Sequence, residues 1–273
     1  MSQFFSFHRF ALLVRKHWTD NKKRYGLSVL AFIGLLIAWF VFAMLTELDR
    51  PMDSEVQQVT FFFSLFAVGT FYASQYFREL GSKAKGSNFL LVPASAFEKL
   101  LCSLLYTVLL FFVVFTVVFY LVDSLMVTLL NALPRTNGPT GRQAVVNVFN
   151  IILLRFNNDS TINFLLFFFA VQSAFLLGSV YFEKYGFIKT IISGFVAFFI
   201  IFCFLFFFTE QLLPPGDYPR GFLTSYRVHV DGINDPLVQI PRWIGEVFRF
   251  LAMYAITPFL WVVTYCRLKE KQV

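Results

Sequence analysis

The chain has 273 residues, of which 58% are hydrophobic and only 14% charged, with 40 phenylalanines and a mean hydropathy of +0.67. A water-soluble domain carries about 25% charged residues, so this composition excludes a soluble globular protein and implies surface that faces lipid. The net charge of +7 and pI near 9.4 do not point to nucleic acid, because the basic residues flank apolar runs, as the loops of membrane proteins do.

In chain order, residues 1–24 form a basic amphipathic segment. At helical spacing Phe4, Phe7, Phe10, Ala11, Val14 and Trp18 share one face, opposite Arg9 and Lys16. Such a helix ahead of a first span is expected to lie in the membrane interface; the alternative is an extension of that span. Charges interrupt this segment before any long apolar run, so it does not read as a cleavable signal peptide.

A membrane-spanning helix needs about 20 predominantly apolar residues. Six segments meet this, at about 26–45, 56–77, 100–122, 162–182, 187–208 and 247–266. Their apolar runs are continuous rather than alternating, which favours helices over a barrel. The expected fold is an all-α integral membrane protein with six transmembrane helices and an N-terminal amphipathic interfacial helix. With the N-terminus inside, 15 of the 23 Lys and Arg residues fall on the cytoplasmic side and 8 outside. The positive-inside rule therefore selects both termini in the cytoplasm.

The loop after the second span contains Phe89 to Val92, a short apolar piece between a glycine hinge and a helix start. Ser95 can cap that helix while Glu98, three residues on, reaches back, forming a capping box. Pro93 stops the helix from extending backwards. The outer segments 123–161 and 209–246 exceed ordinary loop length. They carry the turn signals Asn137-Gly138-Pro139 and Pro214-Pro215-Gly216, and an interfacial helix is expected around Val145 to Leu154.

No phosphate loop, HExxH or GxSxG pattern is present, so no catalytic, cofactor or metal residue is assigned. Cys102, Cys203 and Cys266 have no metal-binding spacing and read as apolar packing residues. Asp123 and Glu183 fall at span ends, as solvated boundary residues would. Gln75 and Gln172 suit polar contacts between helices, and the pairs Gly69/Ala73 and Ala174/Gly178 suit close helix approach.

The pattern Glu79-x-Gly81, then Leu90-Leu91-x-Pro93-x-Ser95-x-x-Glu98-x-Leu100-Leu101, resembles the type-two ABC exporter permeases. That resemblance implies a coupling loop, with Glu79, Gly81, Phe89, Leu90, Leu91, Pro93, Ser95 and Glu98 at or near a separate ABC ATPase subunit. It further implies a homodimer or a pair with a sister permease in a bacterial inner membrane, with no enzymatic activity of the chain itself. The segment 1–24 would correspond to the family's connecting helix. A second reading stays open: a non-transporting membrane scaffold or assembly subunit of a larger complex.

Overall fold

A computed structural model describes residues 4–46, 54–132, 146–150, 159–212, 225–227, 237–239, 243, 246–247 and 250–271. Its helices are α1 (Phe7–Thr46), α2 (Ser54–Gln75), α3 (Lys83–Leu90), α4 (Ala96–Leu104), α5 (Phe111–Ala132), α6 (Asp159–Tyr181), α7 (Gly186–Leu212) and α8 (Ile256–Glu270). A 3-10 turn, Arg78–Gly81, precedes α3. A π-helical segment, Leu105–Leu110, fuses α4 to α5, and another, Leu251–Ala255, leads into α8. Within the segment 209–246, β1 (Ser225–Arg227) and β2 (Leu237–Gln239) form a short antiparallel ladder, with Tyr226 opposite Val238.

Five helical stretches among the described residues are long and apolar enough to cross a membrane: Phe7–Leu45, Glu55–Gln75, Ala96–Ala132, Thr161–Tyr181 and Gly186–Phe204. Of the two prolines among the described residues, Pro93 falls outside the helices, where it leaves their backbone ladders uninterrupted. The other, Pro258, sits in the first turn of α8, directly after the widened turn Leu251–Ala255. A wider turn relieves the clash between a proline ring and the carbonyl four residues earlier.

The core is a phenylalanine cluster. Phe61 of α2, Phe115 and Phe119 of α5 and Phe168 of α6 are buried together with Leu36 and Phe40 of α1. Phe61 meets Phe119 edge-on at 5.0 Å, a geometry that adds to simple area burial. Two glycines set the helix spacing. A Cβ on Gly69 would lie 2.7 Å from the Phe168 ring, and one on Gly178 would collide with Thr190. The small-residue positions therefore mark real close approaches, α2 to α6 and α6 to α7. Gln172 makes its interhelical contact, donating from Nε2 to the Thr107 carbonyl at 2.6 Å, within the π-helical segment. Gln75 instead accepts locally from Arg78.

Several expectations are corrected. There is no separate interfacial helix at the N-terminus: α1 runs unbroken for 40 residues, about 60 Å at 1.5 Å per residue, twice the ~30 Å hydrocarbon core. The amphipathic segment is thus an extension of the first span. Its docked face is also different. Leu13 is buried with Phe10 and Val14 packed beside it, whereas Phe7 and Trp18 are exposed. The face that docks is the one that reaches α4, and no single stripe covers both groups.

Asp123 is not a solvated boundary residue. The apolar periodicity continues through Leu125, Met126, Leu129 and Leu130, so α5 extends to Ala132 and carries Asp123 inside it, fully buried. Its Oδ2 accepts from the Val148 amide at 2.9 Å. Glu183 does lie exposed in the turn between α6 and α7. Cys102 is buried, whereas Cys203 and Cys266 are exposed. Of the helix expected around Val145 to Leu154 only residues 146–150 are described, and 148–150 are helical. Both turn signals lie outside the described residues.

Gly69→Val is expected to destabilise the bundle by about 1–3 kcal/mol, since overpacking forces the Phe168 ring to move. Gly34→Val, where a Cβ meets nothing within 4 Å, serves as the control and should shift unfolding in mixed micelles far less.

Candidate functional site

The N-terminal residues, the segment 78–95, the turn before α7 and the end of α8 gather at one end of the bundle. Ala96, Val180, Leu268 and Phe77 are buried against one another there, with Leu80 and Phe89 alongside. The segment 78–95 lies on this cluster as a 3-10 turn, the short helix α3 and an extended turn into α4.

The capping box forms as expected. Ser95 Oγ accepts from the Glu98 amide at 3.1 Å, and Glu98 Oε2 accepts from the Ser95 amide at 2.9 Å. The other carboxylate oxygen, Oε1, accepts from the Ser6 amide at 2.7 Å and from Arg9 at 3.0 Å. Ser95 Oγ in turn donates to the Phe4 carbonyl at 2.7 Å, and the Phe4 ring stacks on Phe97 at 4.9 Å. The Glu98 side chain is fully buried. A buried carboxylate requires donors on both oxygens, and it has them only because the N-terminal residues fold over it.

Next to it, Lys99 is buried with its ammonium donating to the Leu90 carbonyl at 3.0 Å and 5.4 Å above the Phe89 ring. A cation at the last carbonyls of α3 satisfies a helix end that lacks intrahelical donors. Phe89 meets Phe77 edge-on at 5.9 Å. Gly81 abuts the Glu183 backbone so closely that a Cβ would lie 2.7 Å from its carbonyl carbon. The turn that carries Glu183 depends on Tyr185 at φ 55, the left-handed region that non-glycine residues seldom occupy.

Of the residues singled out by the sequence, Ser95 and Glu98 are joined directly, and Phe89 and Leu90 meet through Lys99. Gly81 contacts a different loop. Glu79 stands apart and exposed. Leu91 and Pro93 form the apolar tip: Leu91 is 78% exposed, an outlier for a leucine in an otherwise anchored turn. Both border a cavity of about 540 Å³ whose other wall is Arg9, Leu12 and Lys16 of α1. The helix itself falls on Lys83–Leu90, so the apolar piece 89–92 is its end rather than an element, and Gly86 lies inside it and is no hinge.

Sequence reasoning missed Ser6, Arg9 and Lys99. Arg9 was visible as a charge on the polar face of α1, but nothing local marks a partner 89 residues away. Among the described residues no group of three His, Cys, Asp or Glu side chains could hold a metal ion. No protein-family profile, curated protein or solved structure matches this chain.

Ser95→Ala is expected to cost about 1 kcal/mol as a lost helix cap. Glu98→Ala should cost more, because each buried donor left unpaired adds about 1–3 kcal/mol. Hydrogen exchange of the amides at 6–10 should quicken in Glu98→Ala; unchanged protection would show that the carboxylate does not hold the N-terminal segment down.

Proposed function

We propose that the chain is the membrane-spanning permease subunit of an ABC-type exporter, driven by a separate ATPase chain that contacts the loop 79–99. In this reading it has six spans with both termini in the cytoplasm. The helix Ile256–Glu270 together with its π-helical lead forms the sixth, and the end that gathers residues 4–9, 78–95 and 182–185 faces the ATPase. The observation that supports it is the exposed apolar tip Leu91–Pro93 on a platform tied to two other parts of the chain. Gly81 connects it to the Glu183 turn and Glu98 to the base of α1, while Lys99 braces the end of α3 within it. A push on such a tip reaches several spans at once, which is what two-state coupling through one contact requires.

A non-transporting scaffold is the second reading. The observation in its favour is α7, whose residues 191–204 are exposed on every face. That leaves a full helical surface for lipid or for a neighbouring subunit, and the same surface suits a homodimer or a sister permease.

Gentle purification from the native membrane tests the proposal. An ABC ATPase should accompany the wild-type protein in fixed stoichiometry and be lost from Leu91→Asp, while membrane insertion and the unfolding midpoint stay unchanged. Recovery without an ATPase, or with one that Leu91→Asp leaves in place, would remove the coupling-loop assignment.

A further inference from the structure

α1 and α2 follow one another in the chain but meet only at scattered side-chain contacts, such as Tyr25 with Tyr72 at 5.7 Å. α1 packs on α4 and α5, and α2 packs mainly on α6. Between them runs a groove of about 1160 Å³, larger than the ~300–1,000 Å³ of an ordinary small-molecule site. We infer that this groove holds a glycerophospholipid with a primary-ammonium, zwitterionic headgroup, acyl chains toward Trp39 and headgroup at Arg24.

The length, lining and two ends of the groove argue for this ligand. One end is closed by a hydrogen bond across the two helices, from Trp39 Nε1 to Thr60 Oγ1 at 3.0 Å. From there to Arg24 is about 22 Å along α1 at 1.5 Å per residue, more than the ~15 Å of one leaflet's hydrocarbon. The stretch between is lined by Phe32, Leu35, Phe63 and Phe71, with Phe32 braced on Phe115 of α5 at 5.3 Å. With Ser28, Ser64 and Tyr72 as its few polar members, this stretch offers the mostly apolar wall that extended acyl chains need.

The polarity changes sharply at the other end. His17 Nε2 and Tyr25 OH are 2.6 Å apart, and the His17 ring packs on Tyr76 and Tyr106. Such aromatic groups with a polar edge are enriched where hydrocarbon meets headgroups. Around them the groove mouth carries two cations, Lys16 and Arg24, and two anions, Asp20 and Glu79, all exposed. Among the described residues none of the four forms an ion pair with another.

The mixture of charges selects the headgroup. Lys16 and Arg24 offer N–H donors to a phosphate, while Asp20 and Glu79 accept from an ammonium that still carries hydrogens. A purely anionic headgroup would face two uncompensated carboxylates, and a trimethylated ammonium has no N–H to give them. This inference does not depend on any ATPase partner, so failure of the permease reading leaves it standing.

The chain has four tryptophans, and Trp39 reports on the groove directly. With Trp18, Trp243 and Trp261 changed to Phe, the full-length protein would be placed in phosphatidylcholine nanodiscs. Brominated-chain phosphatidylethanolamine, phosphatidylglycerol and phosphatidylcholine would then be titrated in, each in turn. Phosphatidylethanolamine should quench Trp39 at a mole fraction lower by about fivefold than either of the others, the effect of roughly one exposed ion pair. Asp20→Asn with Glu79→Gln should abolish that preference.

Equal quenching by all three lipids would mean that Trp39 meets only bulk bilayer, and stronger quenching by phosphatidylglycerol would mean that the carboxylates take no part. Either result overturns the inference. Native mass spectrometry of the unmutated protein gives an independent reading. A phosphatidylethanolamine adduct should survive delipidation in the wild type and be lost from Asp20→Asn with Glu79→Gln. Its absence from the wild type would equally overturn the inference.

Discussion

The carboxylate of Glu98 organises one whole end of this protein. It is buried at the start of a helix that enters the membrane, and burying a charge is costly unless its lone pairs are met. Local geometry supplies one donor, the Ser95 amide. The remaining oxygen is met only by Ser6 and Arg9, from the far end of the sequence. Satisfying Glu98 therefore fixes the base of α1 against α4, and with it the angle at which the longest helix leaves the bundle. That angle lays α1 along α5 and leaves α2 to meet it at scattered side-chain contacts such as Trp39 with Thr60.

The same end shows how the platform can be firm with little hydrophobic area of its own. α3 has only eight residues and would not persist alone, since short isolated helices are marginal in water. It is held from outside itself: by Lys99 at its last carbonyl, by Phe77 against Phe89, and by Gly81 pressed to a neighbouring turn. Each tie comes from a different part of the chain. Rigidity here arises from distributed contacts, and the apolar tip at Leu91 is the part left unclaimed.

Much of this was legible in the sequence, and the limits are physical. Five spans could be read because a run of apolar residues long enough for a bilayer has few other uses. The capping box could be read because both partners lie within three residues. Gly69 and Gly178 could be marked as close approaches, but what fills the space, a Phe168 ring or Thr190, is decided by a helix far along the chain. The extent of α5 was misjudged because a carboxylate at 123 looks like a terminus when its partner, the Val148 amide, is invisible locally. The docked face of α1 was misjudged for a similar reason. Phe7 and Leu13 are equally apolar, and only the position of Cys102 and Tyr106 on another helix decides which is covered.

Asp123 bears on how the protein is made. A carboxylate within a membrane helix disfavours insertion by about 2.5–3.5 kcal/mol near the bilayer centre. Its one amide partner lies 25 residues further on, so α5 emerges from the ribosome with that side chain unmatched. The match arrives before α6 begins. Residues 147 and 148 thus act as an early clasp on α5 while the rest of the chain is still being synthesised. The order of the sequence thereby sets an order of assembly.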